Sequence, residues 1–436
     1  MKQWLRQYSK IPRKIMGQLR LLRDDPVKLG YNLLQFTDPA MFEQRLIDIM
    51  NPVPMHVRFD TGLDGAPSLN VLSSALSKDG MTGGPNTILN LAARVARFGV
   101  PVRMITTVET STLDPTWFRS HIASLIGDMD FPEIPIVSAA DQRAPLVIGA
   151  HDMFMATHWT TAQQLKRILP SLARPKFFYM IQEFEPSFYA WSSNYALALE
   201  TLNLDFWPVF NERVLRDFFV SQKIGRLATG GLIDEELVFE PAIERRMFYP
   251  PSSIAPSKPK RLLFYARPSN TRNMFGLGLT ALREATKHPA FAGGWEFLAI
   301  GGRGSVPEMA LSNGHRLRAA PWFGYSDYGQ FLRNADVMLC PMLSPHTSYP
   351  VLEMVACGGI AVTNTFETKT KAVLAAISDN IIASPPTIEA MTDDIVAAAE
   401  KINNGGVIAA SLRMPNDWGE TLTPVARRMA ELFARR

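Results

Sequence analysis

The chain runs to 436 residues and 48.6 kDa, about three times the usual ~150-residue domain, which predicts two or three domains. Hydrophobic residues at 47% and charged residues at 20% exclude general disorder, and no apolar run approaches the ~18 residues of a membrane span. Two cysteines, Cys340 and Cys357, exclude a disulfide framework and a four-thiolate zinc site, while a formal net charge of +4 is too small to indicate nucleic acid.

Taken in chain order, the basic surplus comes first. Residues 1–23 hold Lys2, Arg6, Lys10, Arg13, Lys14, Arg20 and Arg23 with no acid, so the remainder is slightly acidic. Trp4, Tyr8, Ile11, Ile15, Leu19 and Leu22 recur at helical spacing, a pattern that suits a helix lying on an anionic membrane surface. Pro12 interrupts that helix, and a solvated arm packed on the body is the competing reading. The opening MKQWLRQYSK lacks the apolar core of a secretory signal. The expected location is therefore cytoplasmic, with peripheral contact to the inner face of the membrane.

From residue 68 short apolar runs alternate with amphipathic stretches. SLNVLSS, ILNLAARVARF and VRMITT read as strand, helix and strand, with LVIGA (146–150), KFFYMI (176–181) and FWPVF (206–210) as further strands. A Pro- and Lys-rich passage, YPPSSIAPSKPKR, then reads as a linker. Beyond it RLLFYA, EFLAI, DVMLC, IAVT and NIIA are strands, with helices expected from Met274, Tyr328, Tyr349 and Lys369 and across 387–403. The tail TPVARRMAELFARR reads as one last amphipathic helix. The predicted fold class is α/β, with two doubly wound domains whose parallel sheets are covered on both faces. The expected divisions are a basic arm at 1–55, a first domain at 56–250, a second at 251–414 and a closing helix at 415–436.

Facing α/β domains bind ligands at the carboxyl ends of their strands, and the candidate residues fall there. Gly83 and Gly84 sit between a strand and a helix start, where glycine lets a phosphate approach backbone N–H groups; a tight turn explains them equally well. No GxGxxG follows a strand and no GxxxxGK[ST] occurs, which removes the main support for dinucleotide and Walker-type sites. Arg267 and Arg272 follow a strand and precede a helix, so two guanidiniums stand ready for a diphosphate. Glu353 is a single carboxylate in an apolar helix start; it suits a helix cap or the two hydroxyls of a ribose.

Other candidates are less directed. His151 and His158 follow LVIGA, but a lone His is more often structural, and His151-Asp152 lacks a third ligand for zinc. Glu183 and Glu185 close a strand and suit acceptor orientation or base catalysis, or else a solvated surface pair. Phe184, Phe188, Tyr189, Trp191 and Tyr195 form an aromatic cluster fit for stacking on sugar rings or for the core. GGRGSVPE (301–308) is a further Gly-rich strand end.

The order of these elements resembles family 4 retaining glycosyltransferases, whose GT-B architecture sets two Rossmann-like domains face to face. Arg267 matches the Arg of the family's donor loop and Arg272 stands at its Lys. Glu353, Gly358 and IAVTN match the donor signature, and GGPNTILNLAARVARFGVPVRMIT looks like the glycine loop, helix and second strand of the first domain. Within the family, IQEFEPSFYAWSSNYALALET and FYARPSNTRNMFGLGLTALREA look closest to bacterial rhamnosyltransferases that build cell-surface glycans.

The resemblance implies sugar transfer from a nucleoside-diphosphate sugar, deoxythymidine-diphosphate rhamnose first, to a glycan or lipid-linked glycan. Configuration is retained, and no metal or other cofactor is used. It implies donor contacts from Gly83 and Gly84 in the first domain and from Arg267, Arg272, Asn273, Tyr349 and Glu353 in the second. Arg267, Arg272 and Glu183 would serve the chemistry, and His151, His158, Gln182 and Glu185 the acceptor. Two departures stand out. The family has a second Glu eight positions before the conserved one, where this chain has Pro345; backbone groups or His346 are the replacements at hand. Gln182 and Glu183 stand where many members have a His bonded to the sugar's 6-hydroxyl, which suits a 6-deoxy sugar. The alternatives are a hexosyltransferase of the same fold and a catalytically silent subunit that binds nucleotide or a partner enzyme.

Overall fold

The computed structural model of the protein describes residues 54–435 except 61–66, 82, 141–143, 230–236, 253–258, 303–305, 322, 324 and 406–411. The basic segment 1–23, with its expected membrane-facing helix, lies outside the described residues, as does nearly all of the arm to residue 55.

The first domain opens with β1 (Val57–Phe59), β2 (Leu69–Ser73), α1 (Gly83–Arg97), β3 (Val102–Thr106), α2 (Pro115–Ile126), β4 (Ile136–Ser138) and β5 (Leu146–Ile148). It continues through β6 (Met153–Ala156), α3 (Trp159–Lys166), β7 (Phe177–Ile181), α4 (Ser193–Thr201), β8 (Phe206–Asn211), α5 (Arg213–Ser221) and β9 (Leu237–Phe239). Its parallel sheet runs in the order β4-β3-β2-β6-β7-β8-β9. Side chains alternate across it: Phe178 and Met180 of β7 enter one core, Phe177, Tyr179 and Ile181 the other. Both faces are thus apolar, as a parallel sheet between helix layers requires. Helix ends follow local chemistry. Asp114 accepts from Trp117 N at 2.8 Å, Pro115 opens α2, and Gly127 closes it at φ 72°.

One expected strand is corrected. LVIGA forms β5, which pairs with β1 in a separate two-stranded ribbon, and the strand beside β2 is β6, Met153–Ala156. Every residue of β6 is buried, so MFMA carries no alternation to mark it, whereas β5 leaves Val147 partly exposed.

The second domain comprises β10 (Lys260–Tyr265), α6 (Phe275–Ala285), β11 (Trp295–Ile300), β12 (Met309–Ala310), β13 (Arg316–Ala319) and α7 (Tyr325–Arg333). There follow β14 (Val337–Leu339), α8 (Tyr349–Ala356), β15 (Ile360–Asn364), α9 (Lys371–Ile377), β16 (Ile381–Ser384) and α10 (Ile388–Asn403). Sheet order is β12-β13-β11-β10-β14-β15-β16, parallel except for β12, a two-residue edge strand antiparallel to β13. These two strands escaped the sequence reading because they are short and largely exposed. Helix α7 begins three residues before the expected Tyr328.

The last helix, α11 (Trp418–Ala434), starts earlier than TPVARR suggests because Asp417 caps it, accepting from Gly419 N at 2.7 Å. Leu422, Val425, Met429 and Leu432 bury themselves in the core beside α1, so this helix returns to the first domain. Each such side chain contributes roughly 1.5–3 kcal/mol of burial. Conversely, Ile243 and Phe248 join the core of the second domain, so the chain has changed domains before the Pro-rich passage begins.

Candidate active site in the cleft between the two sheets

The carboxyl ends of both sheets open into one cavity of about 1090 Å³. The first domain supplies the segment after β2 (Lys78 to Gly84), Thr157 and His158 after β6, Gln182 to Phe188 after β7, and Asn211 and Glu212 at the end of β8. The second supplies Tyr265 to Arg272 after β10, Gly301 and Gly302 after β11, and Met342 to Glu353 across the β14–α8 turn. Three helices that begin here have non-glycine N-caps at positive φ: Glu212 (91°) for α5, Met274 (44°) for α6 and Ser348 (77°) for α8. None of the three has a side-chain cap bond, although in α8 Pro350 has no N–H and Val351 N turns back to Ser348 O at 3.2 Å. Such backbone costs roughly 1–3 kcal/mol per residue and persists where surrounding contacts enforce it.

The enforcing contacts cross the cleft. Glu183 accepts from Ser344 Oγ at 2.6 and 2.9 Å, from Phe184 N at 3.0 Å and from Arg272 Nη1, and the His346 ring lies with Nε2 3.2 Å from it. Glu212 accepts from both the backbone N and the hydroxyl of Thr347, the latter at 2.7 Å. Ser348 N donates to His346 Nδ1 at 2.9 Å, which leaves the ring proton on Nε2, facing Glu183. Burial lowers His346 to about 4, so the ring is neutral near pH 7 although it lies between two carboxylates. Asn211 Nδ2 donates to Tyr349 Oη at 2.7 Å. The β14–α8 turn is therefore held from the first domain at Ser344, Thr347 and Tyr349, with His346 lying against Glu183.

Against this occupied network, two cavity groups stand open. Among the described residues Arg267 has a single long contact, Nη1 to Tyr265 Oη at 3.5 Å. Glu353 lines the cavity and, among the described residues, no donor reaches its carboxyl; burial raises it from 4.5 to about 8. Gly84, in the first turn of α1, lies so close to Gln182 that a Cβ would sit 3.3 Å from its amide nitrogen. That spacing keeps the backbone of the helix N-terminus facing the cavity. At Gly359, between α8 and β15, a Cβ would meet Met354 and come 3.2 Å from Asp336 O, so this glycine makes room for the protein's own chain.

Not every candidate reaches the cavity. His151 is exposed on the turn before β6 and is not among the lining residues. Asn273 lies wholly buried behind its loop, both amide atoms without a partner, rather than at the cavity wall. Gly83, Tyr349, His158 and Gln182 do line it. His158 caps α3, with Nδ1 2.8 Å from Thr160 Oγ1, and burial lowers it to about 4. Gln182 places Nε2 3.5 Å from Gly84 O, while its Oε1 is closed off from solvent.

Glu183 and Glu185 are not a solvated surface pair. Glu183 is 5% exposed, and Glu185 accepts from Trp159 N at 2.5 Å, capping α3 from another loop. Burial pushes Glu185 up to about 8, and it lines the cavity. Glu183 already accepts from Arg272, Ser344 and Phe184 N, so its carboxylate is held within the protein rather than facing the cavity unpartnered.

Sequence reasoning missed Glu212, Ser344, Thr347 and Lys369. Lys369 is fully buried, donates Nζ to Met342 O at 2.9 Å, and is lowered to about 8 by that burial. Nothing local marks these residues, because their partners lie far along the chain.

Two domain models of one family match the chain in order: WsaF, N-terminal domain, over residues 68–213 and WsaF, C-terminal domain, over residues 260–396, together more than half of the chain. The O-antigen biosynthesis protein RfbC of Myxococcus xanthus is 32% identical over 270 residues, 60% of this chain. That stretch is 19% of RfbC, so the chain spans about a fifth of this relative's length. Among solved structures, sucrose-phosphate synthase from Thermosynechococcus elongatus superposes with a TM-score of 0.54 at 12% identity, covering 85% of this chain and 100% of the other. Anabaena HepE in complex with UDP gives 0.53 at 13% identity, again over 85% and 100%. At such identities the likeness concerns architecture, and that architecture is GT-B.

Proposed function

Because the chain belongs to the WsaF family of glycosyltransferases, we propose that it moves rhamnose from deoxythymidine-diphosphate rhamnose to a glycan or lipid-linked glycan acceptor, with retention. The observation that carries this reading is Glu353 of α8, a cavity carboxyl that no donor among the described residues reaches, in the same cavity that Arg267 lines. A ribose offers two adjacent hydroxyls to such a carboxyl, and a diphosphate suits the guanidinium and the helix N-termini. HepE is solved with UDP and with UDP-glucose, and RfbC is named for O-antigen biosynthesis; both support a nucleotide-sugar donor and a cell-surface glycan.

In the reaction the bond from the anomeric carbon to the diphosphate oxygen breaks, and the acceptor oxygen bonds that carbon on the same face. The acceptor's proton passes to the departing diphosphate, so no side-chain base is required. This accords with Glu183 being held by Arg272 and Ser344. Arg267 and Arg272 carry the charge compensation, which makes a metal unnecessary in this scheme. Rhamnose is favoured because Gln182 and Glu183 stand where the family commonly keeps a His: Glu183 is engaged with Arg272 and Ser344, Gln182 Nε2 faces Gly84 O, and Gln182 Oε1, unpartnered among the described residues, is closed off from solvent. A 6-hydroxyl would find little to bond there.

No helix among the described residues is long and apolar enough to cross a membrane. Peripheral contact with an anionic membrane surface would come from residues 1–23. The function is tested by following nucleoside diphosphate release from this donor with and without a rhamnose glycoside acceptor. Acceptor-dependent release supports transfer. One observation favours a silent nucleotide-binding subunit instead: Pro345 stands where the family has a carboxylate. Thermal stabilisation by nucleoside diphosphates without any release would establish that reading.

A further inference from the structure

Trp191 is 93% exposed, the most exposed large apolar side chain among the described residues. It does not sit on loose chain. Glu185 holds the preceding turn through its bond to Trp159 N, and Ser187 Oγ donates to Phe184 O at 2.7 Å. Trp159 Nε1 donates to Tyr189 Oη at 2.9 Å, and Ser192 caps α4 by accepting from Tyr195 N. The backbone on both sides of Trp191 is thus fixed, yet its indole packs against no core. Its ring centroid lies 6.4 Å from that of Tyr195 with the planes 34° apart, so the two form one tilted aromatic face. Phe188, three positions earlier, lines the cavity, so the fixed segment leads directly from the cleft wall to this face.

Leaving an indole in water forgoes a large burial gain, and its polar N–H suits a surface that is apolar on one side and hydrogen-bonding at the edge. A pyranose ring has that character, with C–H groups on a face and hydroxyls around the rim. We propose that Trp191 and Tyr195 form an acceptor subsite that stacks on a pyranose ring of the glycan, at least one sugar away from the reacting hydroxyl. The proposal rests on the glycosyltransferase reading for its choice of a carbohydrate.

The test compares full-length protein with Trp191→Ala and Trp191→Phe, using deoxythymidine-diphosphate rhamnose and rhamnose mono- and trisaccharide glycosides. Trp191→Ala is expected to raise KM for the trisaccharide about tenfold, the scale of a lost aromatic contact, with kcat, donor KM and monosaccharide turnover unchanged. Trp191→Phe should restore most of the loss. A second arm needs no turnover: trisaccharide should change the indole emission of the unaltered protein and not the emission of Trp191→Phe. Equal trisaccharide KM in Trp191→Ala overturns the subsite. So does an emission change evoked by phosphatidylglycerol vesicles and not by trisaccharide, which would make this face a membrane contact. If the unaltered protein releases no nucleotide, the transfer reading fails, and the emission arm alone decides the subsite.

Discussion

Arg272 and Glu183 form an ion pair across the cleft, their side chains 16% and 5% exposed. Burial lowers the guanidinium to about 10, and its plane rests 4.7 Å over the Phe188 ring. The donor-loop residue expected to meet diphosphate is thus already bonded to a carboxylate, which a donor must displace or share.

Two roles of Arg272 can therefore be separated. Arg272→Ala should slow transfer by at least ~2 kcal/mol in the barrier and also destabilise the fold by roughly 3 kcal/mol, because Glu183 stays buried without its cation. Adding Glu183→Gln should recover most of the melting temperature and none of the rate. Arg272→Lys should keep part of the activity. Normal turnover by Arg272→Ala would show that the donor loop lies elsewhere.

Glu353 has a pH signature. Its carboxyl stands near 4.5 unfolded and about 8 folded, so folding takes up a proton between those values. Its contribution to stability therefore falls as pH rises from 4.5 to 8 and is level above. Glu353→Gln removes that slope. The melting temperature of the variant relative to the unaltered protein should rise across this window and then plateau. Above pH 8, where this carboxyl is ionised in the unaltered protein, nucleoside diphosphate affinity of Glu353→Gln should fall about tenfold, the loss of one charge-assisted bond. A constant melting difference from pH 5 to 8 would contradict the burial of this acid.

Much of this site was visible in the sequence, and the remainder was not for a definite reason. Arg267, Arg272 and Glu353 announce themselves because strand, loop and helix are contiguous, so position in the chain gives position in the fold. Glu212 acquires its role from Thr347, 135 residues away, and Glu183 from Ser344, 161 residues away. No local pattern encodes such partners. The same holds for β6, whose burial on both faces erased the periodicity that would have named it.

Residues 1–23 should govern membrane contact. Their removal should leave transfer to soluble acceptors intact while weakening binding to anionic vesicles, and binding by the full chain should weaken as salt rises. Cosedimentation that is equal with and without the segment would assign the basic charge another purpose.

Donor competition tests the central claim most directly. Deoxythymidine-diphosphate rhamnose and deoxythymidine-diphosphate glucose are offered together with one rhamnose glycoside, and the sugar joined to the acceptor is identified along with its anomeric configuration. A site in which Glu183 and Gln182 Nε2 are engaged within the protein should favour rhamnose by up to about 100-fold, a graded preference rather than exclusion, because pockets reject an added hydroxyl only modestly. The product should retain the donor's configuration. Equal or faster transfer of glucose would contradict the rhamnose assignment, and no transfer from either donor would contradict the account as a whole.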